Sequence, residues 1–204
     1  MDCCNSNDFL SKEVSKKLKL VLYIAFFINA GMFLIEFSSG VIARSNALTA
    51  DSLDMFGDAF VYGISLFVLS RGYKVQARAS VIKGAIMFSV GLYVFIEAFY
   101  KIIYPIVPPA QTITSIGILA LAANIICLLL LTKYKDKNIN MRSSWICSRN
   151  DVFSNIGVIM AGILVAYFNS MWPDIIIGIG IASLAIYFSV AIIKESNKHN
   201  KSLF

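Results

Sequence analysis

The chain has 204 residues, of which 58% are hydrophobic and 15% are charged, and its mean hydropathy is +0.73. Soluble domains carry about 25% charged residues, so this composition excludes an ordinary soluble protein and indicates an integral membrane protein. The net charge of +6 does not indicate a nucleic-acid partner, because the basic residues flank apolar runs and form no dense patch.

A polar segment of mixed charge, residues 1–17, comes first. A cleavable signal peptide has a basic start and a short apolar core, so we expect a cytoplasmic tail here and a first helix that remains in the mature protein. Adjacent Cys3 and Cys4 are interpreted as solvated tail residues rather than as a metal site or a lipid attachment site. Four scattered cysteines are too few for a disulfide framework.

Six apolar runs follow, each close to the ~20 residues that cross a hydrocarbon core of ~30 Å. They fall at 18–40, 46–70, 80–100, 112–132, 144–168 and 172–193. Runs of this length satisfy their backbone in lipid as helices. We predict an all-α membrane protein with six transmembrane helices in one domain, 18–193. A short cytoplasmic tail, 194–204, follows, with no soluble C-terminal domain.

Lys and Arg are distributed unevenly between the two ends of these runs. Fourteen of the eighteen lie on the side of the termini, against Arg44 and Lys101 on the other side. The positive-inside rule therefore predicts that both termini are cytoplasmic. The remaining two, Lys83 and Arg149, either extend to the headgroups or, for Arg149, pair with an acidic residue inside the bundle. The acidic candidates for that pairing are Glu36, Asp51 and Glu97.

Two pairs of possible metal ligands, each spaced by four residues, lie inside the runs. Asp54 and Asp58 are in the second run, and Cys147 and Asp151 are in the fifth. An ionisable group near the bilayer centre costs roughly 2.5–3.5 kcal/mol on insertion scales, and a bound cation offsets that cost directly. Residues at i and i+4 share a helix face, and helical rise places Asp58 and Asp151 near the midplane. The spacing predicts one tetrahedral four-ligand site.

The ligand types restrict the metal. The Cys147 thiolate favours Zn²⁺, Cd²⁺ or Co²⁺, whereas three carboxylates also permit Mn²⁺ or Fe²⁺. The only histidine, His199, lies near the C-terminus. Without metal, clustered anions must take up protons, so metal and proton compete, which is the physical basis of antiport. The alternative is that these aspartates cap helices or pair with Arg149 and Lys83.

Other polar residues within the runs have open interpretations. Glu36 and Asp51, near the outer ends of their runs, are either wetted or line an exit path. Asn29, Asn124 and Asn155 are expected to hydrogen-bond between helices. Asn155 lies one turn after Asp151 and is the candidate hydrogen-bond partner of a ligand.

Three stretches resemble the cation diffusion facilitator family of metal–proton antiporters. They are EFSSGVIARSNALTADSLDMFGDAF, NINMRSSWICSRNDVFSNIGVIMAG and WPDIIIGIGIASLAIYFSVAIIKES. The likeness extends from about 29 to 196, and the ligand pairs of the family fall on Asp54 and Asp58 and on Cys147 and Asp151. Many members have His where this chain has Asp54 and Cys147, which leaves the metal open. The usual soluble C-terminal domain is expected to be missing, so a homodimer would form through the helices.

The resemblance implies a secondary transporter in the plasma (inner) membrane of a prokaryote. It would export a divalent transition metal in exchange for protons, with the metal as substrate and no cofactor. An alternative is a metal-binding membrane sensor or subunit without transport activity. An intramembrane aspartic protease using Asp58 and Asp151 fits poorly, because the flanks of Asp151 lack the expected Tyr-Asp motif. The chain is therefore not interpreted as an enzyme.

Overall fold

Six helices make up the structure, a computed structural model. It describes residues 4–64, 66, 73–135 and 139–201, without the side chains of 4–15, 73–80, 83, 139–144, 191–192 and 195–201. The helices are α1 (Cys4–Ala43), α2 (Asn46–Gly63), α3 (Tyr73–Ile103), α4 (Ala110–Thr132), α5 (Ile139–Phe168) and α6 (Trp172–Lys201). The predicted all-α fold with six helices is confirmed.

The helix boundaries follow the predicted runs and extend some of them. α1 begins at Cys4, inside the segment predicted as a tail, and α6 continues to Lys201. α4 and α5 end where the apolar runs end, at Thr132 and Phe168. The predicted end of the second run, at residue 70, lies outside the described residues, as do Met1 to Cys3.

Five of the described helices are long and apolar enough to cross a membrane, namely all except α2. α2 carries three aspartates within eighteen residues, Asp51, Asp54 and Asp58, so it has no uncharged apolar stretch long enough to span by composition. Large apolar side chains on the other helices face outward, as expected of a surface in lipid; Phe27, Leu129 and Tyr167 are examples. The protein is a multi-pass membrane protein.

α2 occupies the centre of the bundle. Among the described residues, it is the only helix that contacts all five others. Thirteen of its eighteen residues are buried, whereas α4 buries seven of twenty-three. The helix with three aspartates is therefore enclosed by the others, which separate its carboxyl groups from lipid.

Small residues allow this close packing at the start of α2. A side chain at Gly178 of α6 would meet the backbone of Asn46 at about 2.5 Å, and one at Gly40 of α1 would meet Thr49. Ser45 caps α2, since its hydroxyl accepts a hydrogen bond from the Leu48 amide. Arg44, in the turn before it, has a positive φ of 53°, which is uncommon for a residue other than glycine.

Candidate metal site

Asp58 lies at the contact between α2 and α5. Its Oδ2 accepts a hydrogen bond from the Tyr62 hydroxyl at 2.9 Å and one from Ser148 Oγ at 3.2 Å. The two hydroxyl oxygens are 3.3 Å apart. Asp58 is 6% exposed, and Tyr62 and Ser148 are fully buried. We call these three residues the Asp58 cluster.

Asp151 joins Asp58 from α5. Its side chain is 8% exposed, and the two carboxyl groups lie within hydrogen-bonding reach of one another. Oδ2 of Asp151 has no hydrogen-bond donor among the described residues. When both are ionised, two carboxyl groups this close in a buried site repel one another unless a proton or a metal cation lies between them. The structure therefore brings together the second member of each predicted ligand pair.

The first members of the pairs are placed differently. Asp54 is half-buried on α2, close enough to interact electrostatically with Asp151. Cys147 is exposed on α5, and its neighbour Ser148 is the residue that faces Asp58. Successive helical residues point about 100° apart, so Asp151 projects roughly 60° from Ser148 and roughly 40° from Cys147. Cys147 thus lies at the edge of the carboxyl cluster rather than at its centre.

Glu36 and Asp51 are both buried, at 0% and 1% exposure, so they are not wetted at the membrane surface. Ser154 on α5 donates a hydrogen bond to Asp51 Oδ1 at 2.7 Å. The carboxyl groups of Glu36 and Asp51 lie close to one another across the α1–α2 contact. The acidic cluster of α2 therefore continues from Asp58 toward the turn between α1 and α2.

The buried asparagines have different partners. Asn29 on α1 donates to Cys127 Sγ on α4 at 3.4 Å, which confirms the predicted hydrogen bond between helices. The amide of Asn155 donates to the backbone oxygen of Asp151 at 2.6 Å, within α5, and not to its carboxylate. Asn124 has no hydrogen-bond partner for its amide among the described residues.

Arg149 does not pair inside the bundle. Its guanidinium lies 5.5 Å from the centre of the Trp145 ring, and the residue is exposed. Glu97, one of its three predicted partners, forms an ion pair with Arg44 at 3.1 Å. The interpretation that Arg149 enters the bundle is therefore wrong, because its own helix directs it outward. The Lys83 side chain lies outside the described residues.

Asp174 holds a role that the sequence did not indicate. Its carboxylate accepts hydrogen bonds from Ser45 Oγ at 2.5 Å and from the backbone amides of Asn46 and Ala47 at 2.9 and 3.1 Å. Lys101 Nζ lies 2.9 Å from Oδ2, and both side chains are fully buried. We call Ser45, Lys101 and Asp174 the Asp174 cluster. An anion at the start of α2 also favours the helix dipole.

Within the described residues, no group of three or more His, Cys, Asp or Glu side chains is arranged so that it could hold a metal ion. The geometry offers two adjacent carboxyl groups, Asp58 and Asp151, with Asp54 and Cys147 nearby on the same two helices.

Known proteins resemble this chain in sequence over most of its length. Residues 22–198 match the model of the cation efflux transmembrane domain. The chain is 28% identical over 192 residues to the "Cadmium, cobalt and zinc/H(+)-K(+) antiporter" of Bacillus subtilis, covering 87% of this chain and 62% of that protein. It is 27% identical over 188 residues to "Zinc transporter ZitB" of Pectobacterium atrosepticum, covering 86% and 59%.

A third relative is "Metal cation efflux system protein CzcD" of Cupriavidus metallidurans, 23% identical over 172 residues, which covers 78% of this chain and 53% of that protein. The chain thus spans between 53% and 62% of the length of these curated relatives. The family is one of transporters, in agreement with the interpretation that the chain is not an enzyme. The match covers most of the sequence and all six helices, and the chain belongs to the cation efflux family.

Proposed function

We propose that the chain exports a divalent transition metal, with Zn²⁺, Cd²⁺ or Co²⁺ favoured, from the cytoplasm in exchange for protons. Asp54, Asp58, Cys147 and Asp151 bind the metal ion. The six-helix unit over 18–193 carries this activity, and a homodimer through the helices remains a prediction. Relatives named as zinc, cadmium and cobalt transporters support the choice of ions.

The contact between Asp58 and Asp151 carries this proposal. Both carboxyl groups are buried, they come from different helices, and Asp151 Oδ2 has no donor within the described part of the chain. A divalent cation between them neutralises both charges, and two protons can replace it in its absence. One site that accepts either ligand supplies the exchange that an antiporter needs.

The Asp58 cluster orients one ligand. Tyr62 and Ser148 both donate to Oδ2 of Asp58, which fixes the orientation of the carboxylate. Asp151 projects between the directions of Ser148 and Cys147, so a small rotation of α5 brings the Cys147 thiolate toward the same ion. Thiolate binding would then select soft ions.

Metal flux into inside-out membrane vesicles under an imposed pH gradient tests the proposal. We expect Asp58→Asn and Asp151→Asn each to reduce uptake of Zn²⁺ or Cd²⁺ to the level of vesicles without the protein, because an amide cannot replace the carboxylate charge. Glu97→Gln is the matched control, since Glu97 pairs with Arg44 away from the site. Unchanged flux in both Asn variants would contradict the site assignment.

A metal-binding sensor or subunit is the second candidate, because two buried carboxyl groups from different helices, Asp58 and Asp151, can bind a cation without moving it across the membrane. It predicts saturable binding of metal that Asp58→Asn abolishes, without uptake by vesicles of the unaltered chain. Equilibrium binding and flux measured on the same preparation separate the two functions.

A further inference from the structure

Glu36, on α1, is a buried carboxyl group that the proposed metal site does not use. The residue is 0% exposed, and neither carboxyl oxygen has a hydrogen-bond partner among the described residues. Burial of an ionised carboxylate without any donor is costly, and such groups are normally paired, hydrogen-bonded or neutral. Glu36 therefore requires a compensating partner.

Asp51, on α2, is the group that Glu36 faces. Ser154 donates to its Oδ1, whereas Oδ2 has no donor within the described residues. The two carboxyl groups lie within hydrogen-bonding reach, and together we call them the carboxyl pair. An ionised carboxyl group only accepts hydrogen bonds, so two anions cannot bond to each other. One proton converts an oxygen of either residue into a donor, so that a hydrogen bond joins the two groups.

Among the described residues, no fixed cation compensates this pair. The titratable groups that interact with Glu36 are Asp51 and Asp54 on α2 and Asp151 on α5, all of them acidic. The basic residues described at the same end of the bundle already form ion pairs with other carboxylates: Arg44 pairs with Glu97, and Lys101 pairs with Asp174. The compensating positive charge must therefore come from solution.

The carboxyl pair is also displaced from the metal site along the bundle. Glu36 precedes the end of α1 by seven residues, and Asp51 follows the start of α2 by five. At 1.5 Å per residue, the pair lies roughly 8–11 Å from the α1–α2 turn, whereas the proposed ligands of the same helix, Asp54 and Asp58, lie roughly 12 and 18 Å from it. The pair is thus between the metal site and the predicted outer surface.

We propose that Glu36 and Asp51, supported by Ser154, bind one exchangeable proton at a site separate from the metal ligands. This rests on the proposed exchange of metal for protons. When a metal cation binds at Asp58 and Asp151, its charge repels the proton; the O–H bond of the pair breaks and water accepts the proton. When the cation leaves, water returns a proton to the same oxygens.

Infrared difference spectroscopy on the full chain in lipid nanodiscs tests the first part. Spectra are recorded with chelator and then with Zn²⁺, using protein whose glutamates carry ¹³C at the side-chain carboxyl. We expect Zn²⁺ to remove a protonated carboxyl band that shifts with the label or, if the proton resides on Asp51, to alter a labelled carboxylate band. No labelled band that responds to Zn²⁺ would overturn the proposal, and this result needs no variant.

Counting the protons released on metal binding tests the second part. We expect Glu36→Gln to bind Zn²⁺ and to release fewer protons per metal ion, by about one. Glu97→Gln is the control and should release the same number as the unaltered chain. Equal proton release from Glu36→Gln and the unaltered chain would overturn the proposal. If Glu36→Gln does not fold, the same proton count on Asp51→Asn, together with the labelled spectra of the unaltered chain, tests the proposal.

Failure of the proposed transport function gives a different result. A chain that binds Zn²⁺ and releases the labelled proton, but shows no uptake by vesicles, retains the carboxyl pair and is not a transporter. A chain with uptake and no response from a labelled band is a transporter without this second proton site.

Discussion

Asp174 and Asp151 are both buried aspartates, yet their surroundings differ. Asp174 is surrounded by donors: a hydroxyl, two backbone amides and the Lys101 ammonium. Asp151 faces other carboxyl groups, and its Oδ2 lacks a donor among the described residues. The first arrangement joins three helices through one ion pair and its hydrogen bonds. The second leaves an oxygen without a donor in that part of the chain, which is the arrangement expected of a carboxylate suited to exchange.

The largest effect is expected from breaking the Asp174 cluster. Lys101→Met removes the ammonium and leaves a buried anion unpaired, which costs about 3–5 kcal/mol of stability. The double variant Lys101→Met/Asp174→Asn removes both charges and keeps a side-chain oxygen at the start of α2, so it should recover most of the loss. Thermal unfolding in detergent measures both.

The control for this prediction is Glu97→Gln, which breaks the partly exposed pair with Arg44. Partly exposed ion pairs contribute about 0–1 kcal/mol, so its unfolding temperature should change little. If the double variant is as unstable as Lys101→Met, the ion pair itself stabilises the bundle. The loss of stability in Lys101→Met would then not be caused by an unpaired, buried Asp174.

A smaller effect is expected when Asp58 loses one of its hydrogen-bond donors, which brings its surroundings closer to those of Asp151. Tyr62→Phe removes one of its two donors and keeps the ring, and a hydrogen bond to a charged group contributes about 1.5–3 kcal/mol. We expect Zn²⁺ affinity to fall by about 10–100-fold, because the carboxylate is less well oriented. Titration with Zn²⁺ measures this, and Tyr187→Phe, at an exposed tyrosine of α6, is the matched control.

An unchanged affinity of Tyr62→Phe for Zn²⁺ would contradict the orienting role. It would indicate that Ser148 alone positions Asp58, or that metal binds through Asp151 without the Asp58 cluster. Measuring Ser148→Ala in the same titration separates these two outcomes.

The smallest effect is expected at Cys147, on the edge of the site. Cys147→His replaces a soft thiolate with imidazole and should raise the preference for Zn²⁺ over Cd²⁺ by about tenfold, or about 1.4 kcal/mol. Competition between the two ions in binding or flux measures the ratio. Cys3→His, in the predicted tail, is the control, and the same ratio in all three chains would exclude Cys147 as a ligand.

The fold could be predicted from the sequence because hydrophobic run length alone determines where helices cross a bilayer. α2 shows the limit of that rule, since its three aspartates remove it from the helices that qualify by composition. Helical rise also predicted similar depths for Asp58 and Asp151, whose carboxyl groups lie close together in the structure. It could not establish the rotation of α5, which places Ser148, rather than Cys147, against Asp58.

The Asp174 cluster lay beyond sequence reasoning for a different reason. The sequence Trp172-Pro173-Asp174 reads as a turn, and Lys101 reads as a charge at the membrane surface. Their contact joins residues 73 positions apart in the chain, and Ser45 is 129 positions from Asp174. Only tertiary packing brings a lysine, a hydroxyl and a helix start around one carboxylate.

The three aspartates of α2 also have a consequence for biosynthesis. At roughly 2.5–3.5 kcal/mol for each charged residue near the bilayer centre, this segment is a poor substrate for insertion on its own. Its neighbours α1 and α3 are strongly apolar and flank it in the chain. We therefore expect α2 to leave the translocon during synthesis together with α1 and α3, which enclose it. Packing of these helices would then accompany their integration into the membrane.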